Sequence, residues 1–400
     1  MKAAWRDGNR LELLENGEAY YPRLFGAIAA AREEVLVETF ILFDDPVGRQ
    51  FRDTASAAAR RGVKVQLTID GYGSADLPAS FIAPMLDAGV RIHVYDPVPR
   101  RFGQRTHFFH RLHRKLVVVD RRLAFCGGIN LSYDHLRASG AESKQDYALQ
   151  IEGPVVADLR GAMLALLARR RRWRWPQRRP PAPMATHEGT ATAALVVRDN
   201  RLHRTDIERL YRVGIRSAQR EVVIANAYFF PGYRLLRELR RAARRGVRVQ
   251  VILQGNPDLR LVRWATETLH DYLLRAGVRI YEYLERPMHA KVALIDDDWL
   301  TVGSSNLDPL SLFLNLEANL FARDRQTSAA LRASLERLIT EHSREIDPAS
   351  ARYRSPIRRL LGYLAYHLTR RLPRLAGWLP AHAPARATLA PPRARTGNPD

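Results

Sequence analysis

His113, Lys115 and Asp120 stand in the order H-x-K-x4-D, and Gly127, Gly128, Ile129 and Asn130 follow. The same order returns at His289, Lys291 and Asp296, with Gly303, Ser304, Ser305 and Asn306 behind it. One such match is a weak signal. Two, each trailed by G-[GS]-x-N at the same spacing, are not an accident of composition. Lysine occurs only at Lys2, Lys64, Lys115, Lys144 and Lys291; the rest of the Lys/Arg set is arginine. A genome-wide coding preference for arginine is one reading of that imbalance, and a functional use of the charge is the other. Where lysine survives in the motif, a compact ammonium fits and a planar guanidinium does not.

Each copy supplies one imidazole, one ammonium and one amide. None of these is a carboxylate, so the pocket they form is positive and suits a phosphate. Lys115 and Lys291 serve as point charges, and Asn130 and Asn306 as hydrogen-bond donors. Ser304 adds a hydroxyl to the substrate-phosphate set where the first copy has Gly128. Two half-sites facing each other provide what phosphodiester exchange needs. One histidine attacks phosphorus and the other protonates the departing alcohol oxygen. No metal and no cofactor is expected. A two-histidine metal site is the rival, but beyond Asp120 and Asp296, which lie past the strand from the histidines, the repeat brings no carboxylate or further histidine with it.

The elements that must hold these groups are repeated too. Ala59–Gln66 reads ARRGVKVQ and Ala243–Gln250 reads ARRGVRVQ. Before them lie apolar strand-like runs, Val35–Phe43 and Val222–Phe230; after them come AGVRI at Ala88–Ile92 and again at Ala276–Ile280. Leu116–Val119 and Val292–Ile295 read as short buried strands, so His and Lys, two apart at a strand's start, share a face. The predicted fold is α/β: two homologous αβα sandwich domains with pseudo-two-fold symmetry and one shared active site. The domains are 1–175 and 194–350, joined by a linker at 176–193 where Pro176, Pro180, Pro181 and Pro183 argue against regular structure.

Composition narrows the partners. The 400 residues are 46% hydrophobic and 26% charged, which suffices for a core and excludes global disorder. A net charge of +22 points to nucleic acid, an anionic membrane or phosphorylated substrates. Cys126 is the single cysteine and reads as a small buried residue, which excludes an internal disulfide framework. No apolar run long enough to cross a bilayer is present, and Met1–Gly17 lacks the apolar stretch of a secretory signal. Arg169–Trp175 is either a solvated helix end or an interfacial patch. In 351–380, Ile357, Leu360, Leu361, Leu364 and Leu368 recur at helical spacing among arginines, with Trp378 beyond. Such a basic amphipathic segment suits an anionic membrane surface or packs on the core. Residues 381–400 read as a disordered tail.

The duplicated H-x-K-x4-D resembles the signature of the phospholipase D superfamily. The likeness extends to LLENGEAYYPRLFGAI, VETFILFDD, DGYGS, KQDYALQIEGPVV and YLAYHLTRRLPRLAGWLP, which are similar to bacterial cardiolipin synthases of the shorter B type. That resemblance implies His113 and His289 as the catalytic pair, with His113 as nucleophile. Asp120 and Asp296 complete the signature, with a structural job expected of them. It further implies acidic residues that orient the histidines: Glu317 for the second half and Asp146 for the first. Asp146 lies farther from His113 in sequence than Glu317 does from His289. His107 and His110 read as spare residues of a substrate-side loop. Phe40, Phe43, Tyr72, Tyr228 and Phe229 line an acyl groove or pack in the core. The implied activity is phosphatidyl transfer from phosphatidylglycerol, or phosphatidylethanolamine, to a phosphatidylglycerol hydroxyl through a phosphohistidine. Hydrolysis by the same site and a nuclease are the alternatives. The expected partner is an anionic phospholipid membrane, bound peripherally on the cytoplasmic side of the inner membrane; no nucleic acid or protein partner is expected.

Overall fold

The computed structural model describes residues 3–97, 100–101, 104–105, 111–168, 189–199, 202–255, 269–308, 315–347, 349 and 386–390. His107, His110, Arg169–Trp175, most of the linker and the amphipathic segment 351–380 lie outside the described residues.

The first half runs β1 (Arg6–Glu15), α1 (Asn16–Ala30), β2 (Glu34–Thr39), α2 (Pro46–Arg60), β3 (Lys64–Asp70), α3 (Ala79–Asp87) and β4 (Arg91–Tyr95). A two-residue hairpin, β5 (Arg100–Arg101) with β6 (Gln104–Arg105), precedes β7 (Leu116–Val119), β8 (Leu123–Gly127), β9 (Tyr147–Glu152) and α4 (Val156–Leu167). The second half repeats this plan with β10 (Ala191–Arg198), α5 (Asp206–Ser217), β11 (Glu221–Asn226), α6 (Tyr233–Arg244), β12 (Arg248–Gln254) and β13 (Arg279–Tyr283). It closes with β14 (Lys291–Ile295), β15 (Trp299–Gly303), β16 (Glu317–Arg323), α7 (Arg325–His342) and an edge strand, β17 (Ser343–Glu345). β18 (Arg386–Thr388) lies at the far edge of the first half.

Strand order makes the duplication explicit. From the centre outward the first half reads β1-β9-β8-β7-β2-β3-β4, and the second reads β10-β16-β15-β14-β11-β12-β13. β1 and β10 join antiparallel at the middle, so one sheet runs through both halves. In each half β2–β3–β4 or β11–β12–β13 is parallel, as strand–helix–strand crossovers require. β7 (LVVV) and β14 (KVALI) are buried along their whole length. They need both faces apolar because each sheet is covered twice. Helices α1–α3 close one outer core around Leu24, Phe51 and Phe81, and α5 and α6 close the other around Tyr211 and Leu239. The inner faces meet in a third core with α4 and α7, where Val118 and Leu149 share a cluster with Leu294 and Leu320. Cys126 is buried there, and burial pushes its thiol up to about 12.

Three expectations need correction. The apolar runs 35–43 and 222–230 remain strands only to Thr39 and Asn226. Beyond that point backbone N–H groups turn to the site loops: Ile41 donates to the Asn130 side chain and Leu42 to Ser74 Oγ. The linker ends earlier than 193, because Ala191–Ala193 already belong to β10. The tail is not wholly irregular, since 386–388 pair with β4 and Leu389 packs on the first outer core.

Asp120 and Asp296 do the structural job expected, and the structure takes them out of the reacting set. Each sits at positive φ just past its strand, a conformation aspartate tolerates. The Asp120 carboxylate accepts N–H groups from Arg32, Glu33 and Glu34; Asp296 accepts those of Gln219, Arg220 and Glu221. Each pins the helix-to-strand turn against the strand carrying the motif. Replacing either with alanine should cost about 1–2 kcal/mol, since the bonds are partly solvated. The melting temperature should fall by several degrees while the folded protein keeps its kcat. A large kcat loss at unchanged melting temperature would contradict this.

Candidate active site

Short backbone bridges across the pseudo-dyad bring the histidines in. His113 N–H donates to Leu316 O at 3.0 Å and Leu316 N–H to Arg111 O at 2.8 Å. In mirror fashion His289 N–H donates to Gln145 O and Gln145 N–H to Pro287 O, both at 2.9 Å. Each histidine is therefore paired with the residue just before the acidic side chain of the opposite half. His113 Nδ1 meets Glu317 Oε2 at 3.0 Å, and His289 Nδ1 meets Asp146 Oδ2 at 2.5 Å. The expected assignment of Asp146 to His113 and Glu317 to His289 is thus reversed. The pairing crosses the dyad.

Asp146 and Glu317 are nevertheless true counterparts. Gly127 pairs with Ala148 and Gly303 with Asn319, and each acid lies two residues before that partner. The longer spacing in the first half is taken up by 3-10 turns at Tyr133–His135 and Arg137–Glu142. Gly128 is required by the carboxylate itself: a Cβ there would lie 2.4 Å from Asp146 Oδ1. Asn16, at positive φ, receives the Asp146 N–H on its side chain and donates its own N–H to Asp146 O.

Lys115 and Lys291 are buried and each folds back on its own motif. Lys115 Nζ donates to His113 O at 2.8 Å, and Lys291 Nζ donates to His289 O. Asn130 Oδ1 accepts the Ile41 N–H at 3.3 Å, so its acceptor is committed to the protein. Asn306 is buried in the equivalent position of the other half. Ser304 does not join the phosphate set. It is fully buried and its Oγ donates to Glu317 Oε2 at 2.5 Å, so it holds the carboxylate that holds His113. Nearby arginines are neutralised: Arg111 by Asp70 and Asp96, Arg114 by Glu38. Asp70, from the DGYGS loop, also accepts the Leu112 N–H at 2.7 Å, fixing the residue before His113.

The two halves differ electrostatically. Burial raises Glu317, but the pull of His113, Lys115 and the Ser304 hydroxyl outweighs it and holds the carboxyl below its ordinary range. Burial lowers His113 against the pull of Glu317, which leaves a neutral imidazole with its proton on Nδ1. On the other side burial dominates and pushes the Asp146 carboxyl up to about 7, with Lys291 opposing. His289 is driven well below the usual histidine range by burial and by Lys291. Below about pH 7 the Asp146 carboxyl therefore holds a proton beside His289, while Glu317 stays ionised beside His113. Burial brings Lys115 down to about 7 and Lys291 to about 8.

Sequence reasoning missed His135, whose ring lies 5.5 Å from that of His289. The residue was visible, but it belongs to no repeat and no spacing singled it out. With Asp146 and His289 it places possible ligand atoms within 4.8 Å of one another. Lys291, Lys144 and Lys115 surround His289 with positive charge, a poor setting for a dication. Of the aromatic candidates, Phe40 packs on His113 at 5.0 Å, Phe229 is buried, and Phe43 and Tyr228 are exposed.

Together, the duplicated sheet and paired histidine–lysine half-sites define a protein of the phospholipase D type. The family described as "Cardiolipin synthase, PLD-like domain" matches residues 24–160 and 211–339. Cardiolipin synthase B of Escherichia coli O6:H1 is 50% identical over 396 residues, covering 98% of this chain and 95% of that protein. Cardiolipin synthase A of Pseudomonas putida F1 is 35% identical over 342 residues, 84% of this chain and 70% of that one. The crystal structure of a phosphatidylserine synthase from Haemophilus influenzae has the same fold, with TM-score 0.67 at 16% identity over 90% of this chain and 94% of that one. The chain belongs to the cardiolipin synthase family.

Proposed function

We propose that this protein is a phosphatidyltransferase that makes cardiolipin from two phosphatidylglycerols. The observation that carries the reading is the pair of buried histidines, each held through Nδ1 by a carboxylate of the opposite half, with a lysine beside each.

His113 is the nucleophile, because its carboxylate partner is ionised and its proton is committed to Nδ1, leaving the Nε2 lone pair. That lone pair attacks phosphorus of phosphatidylglycerol and the bond to the glycerol oxygen breaks. The oxygen takes its proton from Nε2 of His289, whose pair with Asp146 holds one to give. Glycerol leaves, and the phosphatidyl group is bound to His113 Nε2. His289 now accepts the headgroup hydroxyl proton of the second phosphatidylglycerol. That oxygen attacks phosphorus and the N–P bond breaks. Lys115, Lys291, Asn130 and Asn306 face the non-bridging oxygens throughout. Water as acceptor would give phosphatidic acid by the same steps.

The protein would work peripherally on an anionic bilayer, at the cytoplasmic side of the inner membrane. Among the described residues no helix is long and apolar enough to cross a membrane. Mass spectrometry of products from labelled phosphatidylglycerol, with and without phosphatidylethanolamine, tests the reading. Cardiolipin with an equivalent of glycerol supports it. Phosphatidic acid alone would sink it in favour of a hydrolase.

A further inference from the structure

We propose that His135 is a positioning residue that ties the ring of His289 to the backbone of Asn130, coupling the proton-transfer side of one half-site to the phosphate-binding side of the other. The inference rests on reading His289 as the acid–base partner.

His135 is fully buried on a loop held from several directions. Tyr21 donates its hydroxyl to the carbonyls of Asn130 and Ser132, at 2.9 and 2.7 Å. Asp45 accepts the Tyr133 N–H at 2.6 Å, and Lys144 pairs with Asp134. Gly17 packs so closely under the loop that a Cβ there would lie 2.7 Å from His135 O. Beyond Asp134, whose Oδ1 lies 3.8 Å from Nε2, the side chain placed by this loop makes two contacts that bear on the site. Its ring stands edge-on to His289 at 72°, an arrangement favourable for aromatic rings. Its Nε2 accepts the Asn130 N–H at 3.2 Å.

That acceptor role fixes the tautomer. A backbone N–H cannot accept a proton, so Nε2 must carry the lone pair and Nδ1 the hydrogen. The ring is neutral, and burial keeps it so by lowering its pKa to about 3. Nδ1 is buried with no hydrogen-bond partner among the described residues. An unmet buried donor is destabilising, and a phenylalanine would avoid it. Phenylalanine, however, would strand the Asn130 N–H. The opposite half makes the comparison: His113 is walled by Phe40, a ring with no hydrogen bond to give or accept. A histidine at 135 is what allows one side chain to wall His289 and hold Asn130 together.

Two substitutions in the full-length protein separate the functions, assayed on phosphatidylglycerol in detergent micelles. His135→Phe keeps a ring and removes the acceptor, so KM should rise about tenfold with kcat little changed. His135→Gln keeps an acceptor near the Nε2 position and removes the ring. It should lower kcat about tenfold at nearly constant KM and move the alkaline limb of the kcat profile, as water reaches the His289–Asp146 pair. Equal changes in kcat and KM for both variants, or none in either, would overturn the proposal. If the phenylalanine variant fails to fold, the glutamine variant's pH limb decides alone, and an unmoved limb overturns it. Mapping the trapped phosphoenzyme keeps the premise separate. Phosphorus on His289 would overturn the acid–base reading, while the KM rise of His135→Phe would still support the tie to Asn130.

Discussion

His113→Asn should abolish both turnover and phosphoenzyme formation, whereas His289→Asn, given an activated donor, should stop turnover with the phosphatidyl group trapped on His113. The contrast is clearest with an activated donor such as phosphatidyl-p-nitrophenol. Its leaving phenolate needs no proton, so losing the general acid does not block the first step. His289→Asn should then release one equivalent of p-nitrophenolate per enzyme in a burst and stall, because no base remains to deprotonate the acceptor hydroxyl. Steady-state transfer should fall by roughly 10²–10⁴, the usual worth of a positioned acid–base group. With phosphatidylglycerol itself the burst should vanish as well, since glycerol is a poor leaving group without its proton. His113→Asn should give no burst with either donor. A burst in His113→Asn, with phosphorus mapped to residue 289, would exchange the two roles. The prediction follows from the inequality of the two pairs: Glu317 is held ionised by His113, Lys115 and Ser304, while Asp146 is pushed up to about 7 by burial.

What the sequence could say about this site depended on repetition. His113, Lys115, Asn130 and their second copies stood out because the same chemistry recurs at the same spacing. The strands beneath them were legible because LVVV and VALI are apolar along their length, as strands covered on both faces must be. Relations that cross the dyad left no such trace. Asp146 meets His289, and Glu317 meets His113, only because short bridges at Gln145–Met288 and Leu112–Leu316 bring the two halves together. The family resemblance, with an acid downstream of each histidine to orient it, implied the opposite assignment. Ser304 looked like a phosphate ligand because a hydroxyl on a glycine-rich turn can donate to phosphate; burial beneath Glu317 gives it another acceptor. His135 has no counterpart to mark it, and its value depends on where the loop at 130–135 folds. The strand at 386–388 was hidden for a different reason. Its short Arg-Ala-Thr stretch has no apolar periodicity, and only the open edge of β4 gives it a partner.

Exchanging the carboxylates tests the crossing directly. Glu317→Gln should act on His113, and Asp146→Asn on His289. Glutamine keeps the shape at 317 but removes the charge that fixes the His113 proton on Nδ1, so the tautomer with Nε2 blocked becomes accessible. A loss of about 10²–10⁴ in kcat is expected, by analogy with other carboxylate–histidine pairs deprived of their charge. The loss should fall on the burst with the p-nitrophenyl donor. Asp146→Asn should spare that burst and slow only the turnover that follows. If the burst were lost in Asp146→Asn and kept in Glu317→Gln, the crossed assignment of roles would fail. The pH profiles carry the same distinction. In the unmodified protein the His289–Asp146 pair must hold its proton, and the Asp146 carboxyl lies at about 7, so transfer from phosphatidylglycerol should fall as pH rises above that value. Lys115, brought down to about 7 by burial, loses its charge in the same direction. Glu317 must be ionised and is held below the ordinary carboxylate range, so its limb lies on the far acid side. Glu317→Gln should therefore leave the alkaline limb in place while lowering the whole curve. Asp146→Asn should shift that limb toward the value set by Lys115 and His289 alone.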